Sequence, residues 1–89
     1  MYQPDLKQFE VFCERHLLQL TFDSLELYLH ELITVRKVRL STFNRRLAGV
    51  KYWLMNQYQQ QQTLEQEERI RLLRQLYDEE MYLRLKPQR

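Results

Sequence analysis

With one glycine and two prolines in 89 residues, the chain has little that breaks a helix and no glycine-rich loop with which to cradle a phosphate. Its lone cysteine, Cys13, excludes an internal disulfide and a cysteine-based metal cluster. Set among Phe9, Val11 and Phe12, it reads as a buried apolar side chain. No apolar stretch approaches the roughly 20 residues needed to cross a bilayer. The start, Met1-Tyr2-Gln3-Pro4-Asp5, has neither the basic opening nor the apolar core of a secretion signal, so a cytoplasmic location is expected, with no membrane partner. The most telling absence is in the middle, where not one Asp or Glu occurs between Leu32 and Leu64.

That same run holds six cations, Arg36, Lys37, Arg39, Arg45, Arg46 and Lys51, while the rest of the chain carries eight Lys or Arg against twelve acids. The formal net charge of +2 therefore hides a basic middle between a net acidic N-terminal third and a balanced C-terminal third. Segregation of this kind is the electrostatic footprint of a polyanionic partner, nucleic acid before any other.

Leu, Glu, Gln and Arg dominate the composition, and all four favour helix, so the fold class expected is all-α. A chain this short buries roughly 60 to 65% of its unfolded surface, enough for one compact helical unit but poor ground for a deep catalytic pocket. The spacing predicts four helices. The first runs from Pro4, well suited to an opening turn, to Leu18, with Leu6, Phe9, Phe12, Cys13 and Leu17 on one stripe. The second is capped by Thr21, has Asp23 near the positive end of its dipole, buries Leu25, Tyr28, Leu29, Leu32 and Ile33, and ends near Val35. After a basic connection, Arg36-Lys37-Val38-Arg39-Leu40, Ser41 is expected to cap a third helix reaching Gln60. Phe43, Leu47, Val50 and Leu54 fall within about 60° of one another on its wheel, with Tyr58 just outside. Ser41, Thr42, Arg45, Gly49, Tyr52 and Asn56 lie on the other side. Thr63 and Gln66 read as a capping box opening a fourth helix, with Ile70, Leu73, Leu76, Tyr77 and Met81 as its apolar stripe and fraying near Leu83. The tract Gln59 to Gln62 reads as a connector, and Lys86-Pro87-Gln88-Arg89 as the start of a linker.

The sharpest candidate site is the block from Val38 to Leu47. A helix N-terminus presents unpaired N–H groups and a positive dipole end, and here it carries Ser41 and Thr42 and follows three cations, which suits phosphate. Arg45, one turn in, is placed to meet a base edge or a second phosphate. Arg46 lies nearer the core edge, where pairing with Glu26 or Glu31 is the alternative. The plainer reading makes Ser41 an N-cap and the cations a solvated surface. Gly49, mid-helix, costs about 1 kcal/mol against alanine and implies close approach of a neighbour, either a crossing helix or DNA. Tyr52, Trp53 and Tyr58 suit either base stacking or the core, with the core favoured for Trp53 and Tyr58.

Chemistry of other kinds finds no support. His16 and His30 have no metal-binding spacing and read as surface or boundary residues. Glu65, Glu67, Glu68, Asp78, Glu79 and Glu80 interleave with Arg69, Arg71, Arg74 and Arg84, a pattern of ion pairs along a helix surface rather than paired catalytic carboxylates. No nucleophile motif is present. No catalytic residue, metal, cofactor or small-molecule ligand is expected.

Tyr2-x-x-Asp5-Leu6-x-x-Phe9-x-x-Phe12-Cys13, Leu25-x-x-Tyr28-Leu29-x-x-Leu32 and Leu40-Ser41-Thr42-Phe43-Asn44-Arg45-Arg46-Leu47-Ala48-Gly49-Val50-Lys51, in this order and at these separations, resemble the N-terminal, SAM-like core-binding domain of the tyrosine recombinases, or phage integrases. Leu72-Leu73-x-x-Leu76 and Lys86-Pro87-Gln88 are similar to that domain's last helix and linker. Two features depart from the family pattern: its S-x-x-T helix start, ahead of the position of Tyr2, has no counterpart, and Pro4 is unusual within that helix. The resemblance implies an orthogonal bundle of four to five helices over residues 1–85, one half of a clamp on double-stranded DNA at a recombination site. Other recombinase protomers on the DNA are further partners. Ser41, Thr42 and Arg45 match positions at the start of the DNA-facing helix, with Arg39 and Lys51 flanking. The family's tyrosine chemistry belongs to a separate C-terminal domain, so none of the six tyrosines is expected to be a nucleophile. The expectation is a non-catalytic DNA-binding module contacting DNA through Arg36, Lys37, Arg39, Ser41, Thr42, Arg45, Arg46 and Lys51. The alternative is a helical protein-interaction module whose basic helix meets an acidic partner.

Overall fold

A computed structural model of the chain describes residues 3–85, with side chains over 5–80. Four α-helices and no strands are found among the described residues: α1 (Gln3–Arg15), α2 (Phe22–Thr34), α3 (Leu40–Gln57) and α4 (Leu64–Leu85). The fold is an all-α bundle, with four helices where four to five were expected. Met81 and the Lys86 to Arg89 linker expectation lie outside the residues whose side chains are described.

The bundle is built around α2, which packs against each of the other three helices, while α1 also packs on α3. The reason lies in composition. Leu25, Tyr28, Leu29, Leu32 and Ile33 are all buried, as their spacing requires, and Phe22 and Ser24 are buried with them. Phe9, Phe12 and Cys13 come from α1, Phe43, Val50 and Leu54 from α3, and Ile70 and Tyr77 from α4. Each such apolar side chain contributes about 1.5–3 kcal/mol of transfer free energy, and aromatic contacts tie the helices together. Phe9 meets Tyr28 at 5.5 Å and Trp53 at 6.5 Å between ring centroids, and Phe43 meets Tyr77 at 5.6 Å.

Two helix starts follow the local chemistry. The Thr21 hydroxyl accepts from the Ser24 N–H at 3.2 Å, and the Ser24 hydroxyl donates back to the Gln19 carbonyl. At α4 both halves of the capping box form: Gln66 N–H donates to Thr63 Oγ1 at 3.1 Å, and Thr63 N–H to Gln66 Oε1 at 2.9 Å. The start of α3 is different from the expectation. Its N-cap is Arg39, with no side-chain cap, and Ser41 already lies inside the first turn. The helix begins earlier because a backbone bond sets its start: the Phe43 N–H closes on the Arg39 carbonyl at 2.9 Å, which carries Phe43 into the core while Leu40 stays exposed.

Helix ends also come earlier than the spacing suggested, at Arg15 rather than Leu18 and at Gln57 rather than Gln60. After α1, α2 and α3 the backbone turns through left-handed residues that are not glycine, Leu17 (φ 56°), Lys37 (φ 52°) and Gln59 (φ 53°). At α1 the Leu18 N–H reaches the Cys13 carbonyl at 2.8 Å and the Leu17 N–H reaches that of Glu14 at 3.3 Å, which is a Schellman closure. Leu17 is thereby turned out, 93% exposed, and leaves the stripe assigned to it. The one glycine sits elsewhere, in mid-α3, with φ not positive. Tyr58, expected in the core, is exposed and edges against the half-buried Trp53 at 5.1 Å.

Candidate functional site

The acid-free run forms the end of α2, the α2–α3 connection and the whole of α3, so its six cations occupy one continuous stretch of structure. They divide by what holds them. Arg36 donates from Nε to Glu31 at 3.1 Å, an ion pair at the end of α2 that also has His16 at 4.0 Å. Arg45 and Arg46 converge on Asp5 of α1, a carboxylate that is only 5% exposed. Arg45 donates from Nε at 2.9 Å and from Nη2 at 3.4 Å, while Arg46 Nε lies 3.6 Å from the second oxygen. Arg46 also donates from Nη1 to the Tyr28 hydroxyl at 3.2 Å. Arg46 thus pairs neither with Glu26 nor with Glu31 but with Asp5, 41 positions away.

The remaining three, Lys37, Arg39 and Lys51, have no ion pair among the described residues. Lys37 and Arg39 are exposed, Ser41 is exposed, and Thr42 and Lys51 are half-buried. Arg45 keeps half of its side-chain surface in solvent, whereas Arg46 keeps 17%. The geometry therefore sorts the eight expected contacts. Lys37, Arg39, Ser41 and Arg45 are presented outward, Thr42 and Lys51 partly so, Arg36 is paired, and Arg46 is a structural member of the α1–α3 contact.

Arg39 stands against the ordinary rules of helix electrostatics. The first turns of α1, α2 and α4 each contain acids, Asp5, Asp23, and Glu65 with Glu67, which oppose the positive end of the dipole. The first turn of α3 contains none, and a cation sits at its N-cap. An anion supplied from outside would complement that end.

Asp5 is the functional neighbour that sequence reasoning did not single out. Its partners lie 40 and 41 residues on, so no local spacing reveals them. Burial drives the Tyr28 phenol above its ordinary value, with Arg46 pulling the other way, so this tyrosine is a neutral hydrogen-bond acceptor at physiological pH. Cys13 is buried, and desolvation raises its thiol above the ordinary range, which makes it a packing residue rather than a reactive one.

Away from this stretch, α4 carries the ion pairs anticipated for it. Arg69 joins Glu65 at 2.7 Å and Glu26 at 3.4 Å, and Arg71 joins Glu68 at 2.8 Å. Arg69 is held more firmly protonated by the hydrogen bond it donates to Glu26, while burial pushes Glu26 itself up. Both shifts are upward and belong to one contact: the pairing favours charged Arg69, while at the less exposed Glu26 burial outweighs the pull of Arg69. A shallow groove between α2 and α4 is lined by Leu27, His30, Arg69, Leu72, Leu73 and Leu76. No cluster of three metal-ligating side chains occurs among the described residues, and no described helix is long and apolar enough to cross a membrane.

Set against protein-family models, curated proteins and solved structures, the chain matches none.

Proposed function

We infer that the chain is a duplex-DNA-binding module of the kind tyrosine recombinases use to grip a recombination site, with no catalysis of its own. The observation that carries this reading is the unneutralised charge of the α2–α3 connection and α3. Lys37, Arg39 and Lys51 have no acid partner among the described residues, Arg45 is half exposed, and the α3 N-cap is cationic. A folded chain gains nothing internally from a cation at that cap, so the arrangement suits an external phosphate. The recombinase part of the reading rests on the sequence resemblance, and the charge geometry supports the DNA part by itself.

The structure lowers the number of phosphates to expect. Asp5 and Glu31 neutralise part of the basic run, leaving Lys37, Arg39, Arg45 and Lys51 as contacts. Four contacts give a slope of log affinity against log salt of about −3.6. Measuring affinity for an arbitrary duplex between low and moderate salt tests this; a slope near zero would sink the proposal.

A second reading has one observation in its favour. Leu27, Val35 and Leu72 are 53%, 71% and 55% exposed, apolar area that suits a protein partner. It is compatible with the basic stretch meeting an acidic protein, and the same duplex titration separates the two.

A further inference from the structure

α2 is enclosed on three sides and open on the fourth. Its inward rows pack against α1, α3 and α4, while Asp23, Leu27, His30 and Val35 are exposed and Glu26, Glu31 and Thr34 are half-buried. These seven stand at i, i+3, i+4, i+7, i+8, i+11 and i+12, so they form one continuous stripe that ends on the C-cap Val35. Leu27 is 53% and Val35 71% exposed. The Thr34 hydroxyl donates to the His30 carbonyl at 2.9 Å, which meets its polar demand inside the helix. The stripe stands between two grooves, one against α4 along Leu72, Leu73 and Leu76, the other against α1 along Phe12, His16 and Leu18. Leu27 and His30 line both, and no residue of α3 lines either.

Such a face is complementary to itself. A ridge with a groove on each side accepts the ridge of an identical surface, and the charges along it choose the direction. At the N-terminal end of α2, Asp23 and Glu26 are joined through Arg69 to Glu65, three acids against one cation. At the C-terminal end, Arg36 and Lys37 stand against Glu31 alone, which Arg36 pairs at 3.1 Å. Antiparallel packing of two copies sets the acidic end of each α2 against the basic end of the other and opposes their macrodipoles, whereas parallel packing sets like against like. The midpoint between Leu27 and Val35 is residue 31. A twofold axis there brings Leu27 of each protomer onto the partner's Val35, so one operation covers both exposed apolar side chains of the stripe. Glu31, beside the axis, meets its image already paired with Arg36.

We propose that the open face of α2 is a homodimer interface, in which two copies of the chain pack α2 on α2, antiparallel, about a twofold axis at residue 31. The 13 residues of α2 span about 20 Å, and the bundle is 25 to 27 Å across. The contact is therefore at the low end of specific interfaces, and the dimer is reversible. This goes beyond the DNA reading and does not rest on it, since α3 takes no part in the contact.

The test is sedimentation velocity of the full chain without nucleic acid, from about 5 to 500 µM. The expected result is a shift from monomer to dimer as concentration rises. Leu27→Glu and Val35→Glu, each first shown by circular dichroism to keep its helicity, should each raise the dissociation constant by about tenfold or more. Direction is read by disulfide trapping, for which Cys13 is buried and does not compete. Leu27→Cys mixed with Val35→Cys should give a covalent dimer under mild oxidation. Leu27→Cys alone should give none, because antiparallel helices hold the two thiols eight residues, about 12 Å, apart. A chain that stays monomeric throughout would overturn the proposal and leave the face to a protein of another sequence. A dimer indifferent to both glutamate variants would overturn it as well, and self-linking of Leu27→Cys alone would overturn the antiparallel pairing.

Discussion

At the scale of single residues, buried and half-buried charges decide what this protein tolerates. Asp5 is the clearest case. It is nearly inaccessible, and its two guanidinium partners are unequally exposed, so it fastens α1 to α3 through Arg46 and leaves Arg45 partly available to solvent. Glu26 shows the opposite balance. Burial raises its pKa although Arg69 is within 3.4 Å, so the folded environment penalises the charged form more than Arg69 rewards it. The linkage follows from that direction. With the folded pKa above the unfolded one, the folded state holds the proton more tightly, and this group's favourable contribution is present at low pH and lost as pH rises through the folded value. Glu26→Gln removes the penalty. Its free energy of unfolding at pH 7 should equal or exceed that of the parent, by about 1 kcal/mol at most given the group's partial exposure. The gap should close below the carboxylate range. Urea titrations at pH 7 and near pH 3 decide it; a clear destabilisation at pH 7 would mean that the pair outweighs burial.

At the scale of elements, the helices were legible wherever the determining chemistry is local. Thr21, the Thr63–Gln66 box and the α2 stripe are contained within a few residues each, and all appear as the spacing requires. Ser41 was misassigned because Arg39 and Ser41 both precede an apolar stripe, and the bond from the Phe43 N–H to the Arg39 carbonyl, which no capping side chain announces, decides which one caps. The ends of α1 and α3 were overextended for a related reason. Glycine ordinarily marks such ends, and this chain closes them with Leu17, Lys37 and Gln59 in left-handed conformation. A left-handed residue with a Cβ costs about 1 kcal/mol or more. Leu17 is almost fully exposed, so its side chain returns little packing for that cost. Leu17→Gly should therefore raise stability by about 0.5–1 kcal/mol despite glycine's greater freedom in the unfolded chain. A higher thermal midpoint, with unchanged helicity, is the expected outcome; a lower one would show that Leu17 makes contacts outweighing its strain.

At the scale of the whole molecule, charge segregation was visible in the sequence but its effective size was not. The six cations of the run could be counted directly, yet Asp5 and Glu31, whose two charges offset a third of them, belong to helices outside or at the edge of that run. Folding thus separates the basic stretch into cations that hold the bundle together and cations left over. The two groups answer differently to mutation. Replacing Lys37, Arg39 and Lys51 together by Gln removes no ion pair found among the described residues, so unfolding free energy should stay within about 1 kcal/mol of the parent. With three of the four proposed phosphate contacts gone, the salt slope should flatten from about −3.6 to about −0.9. Arg46→Glu does the reverse. It places a carboxylate beside the buried Asp5 and strips Tyr28 of its donor, at a cost of about 3 kcal/mol or more, so any loss of DNA binding in that variant reports unfolding. Paired measurements of urea midpoint and duplex affinity across salt separate the groups. If the triple glutamine variant kept the parental slope, the leftover cations would not be the DNA contacts, and the basic stretch would have to be read as the face of a protein interaction.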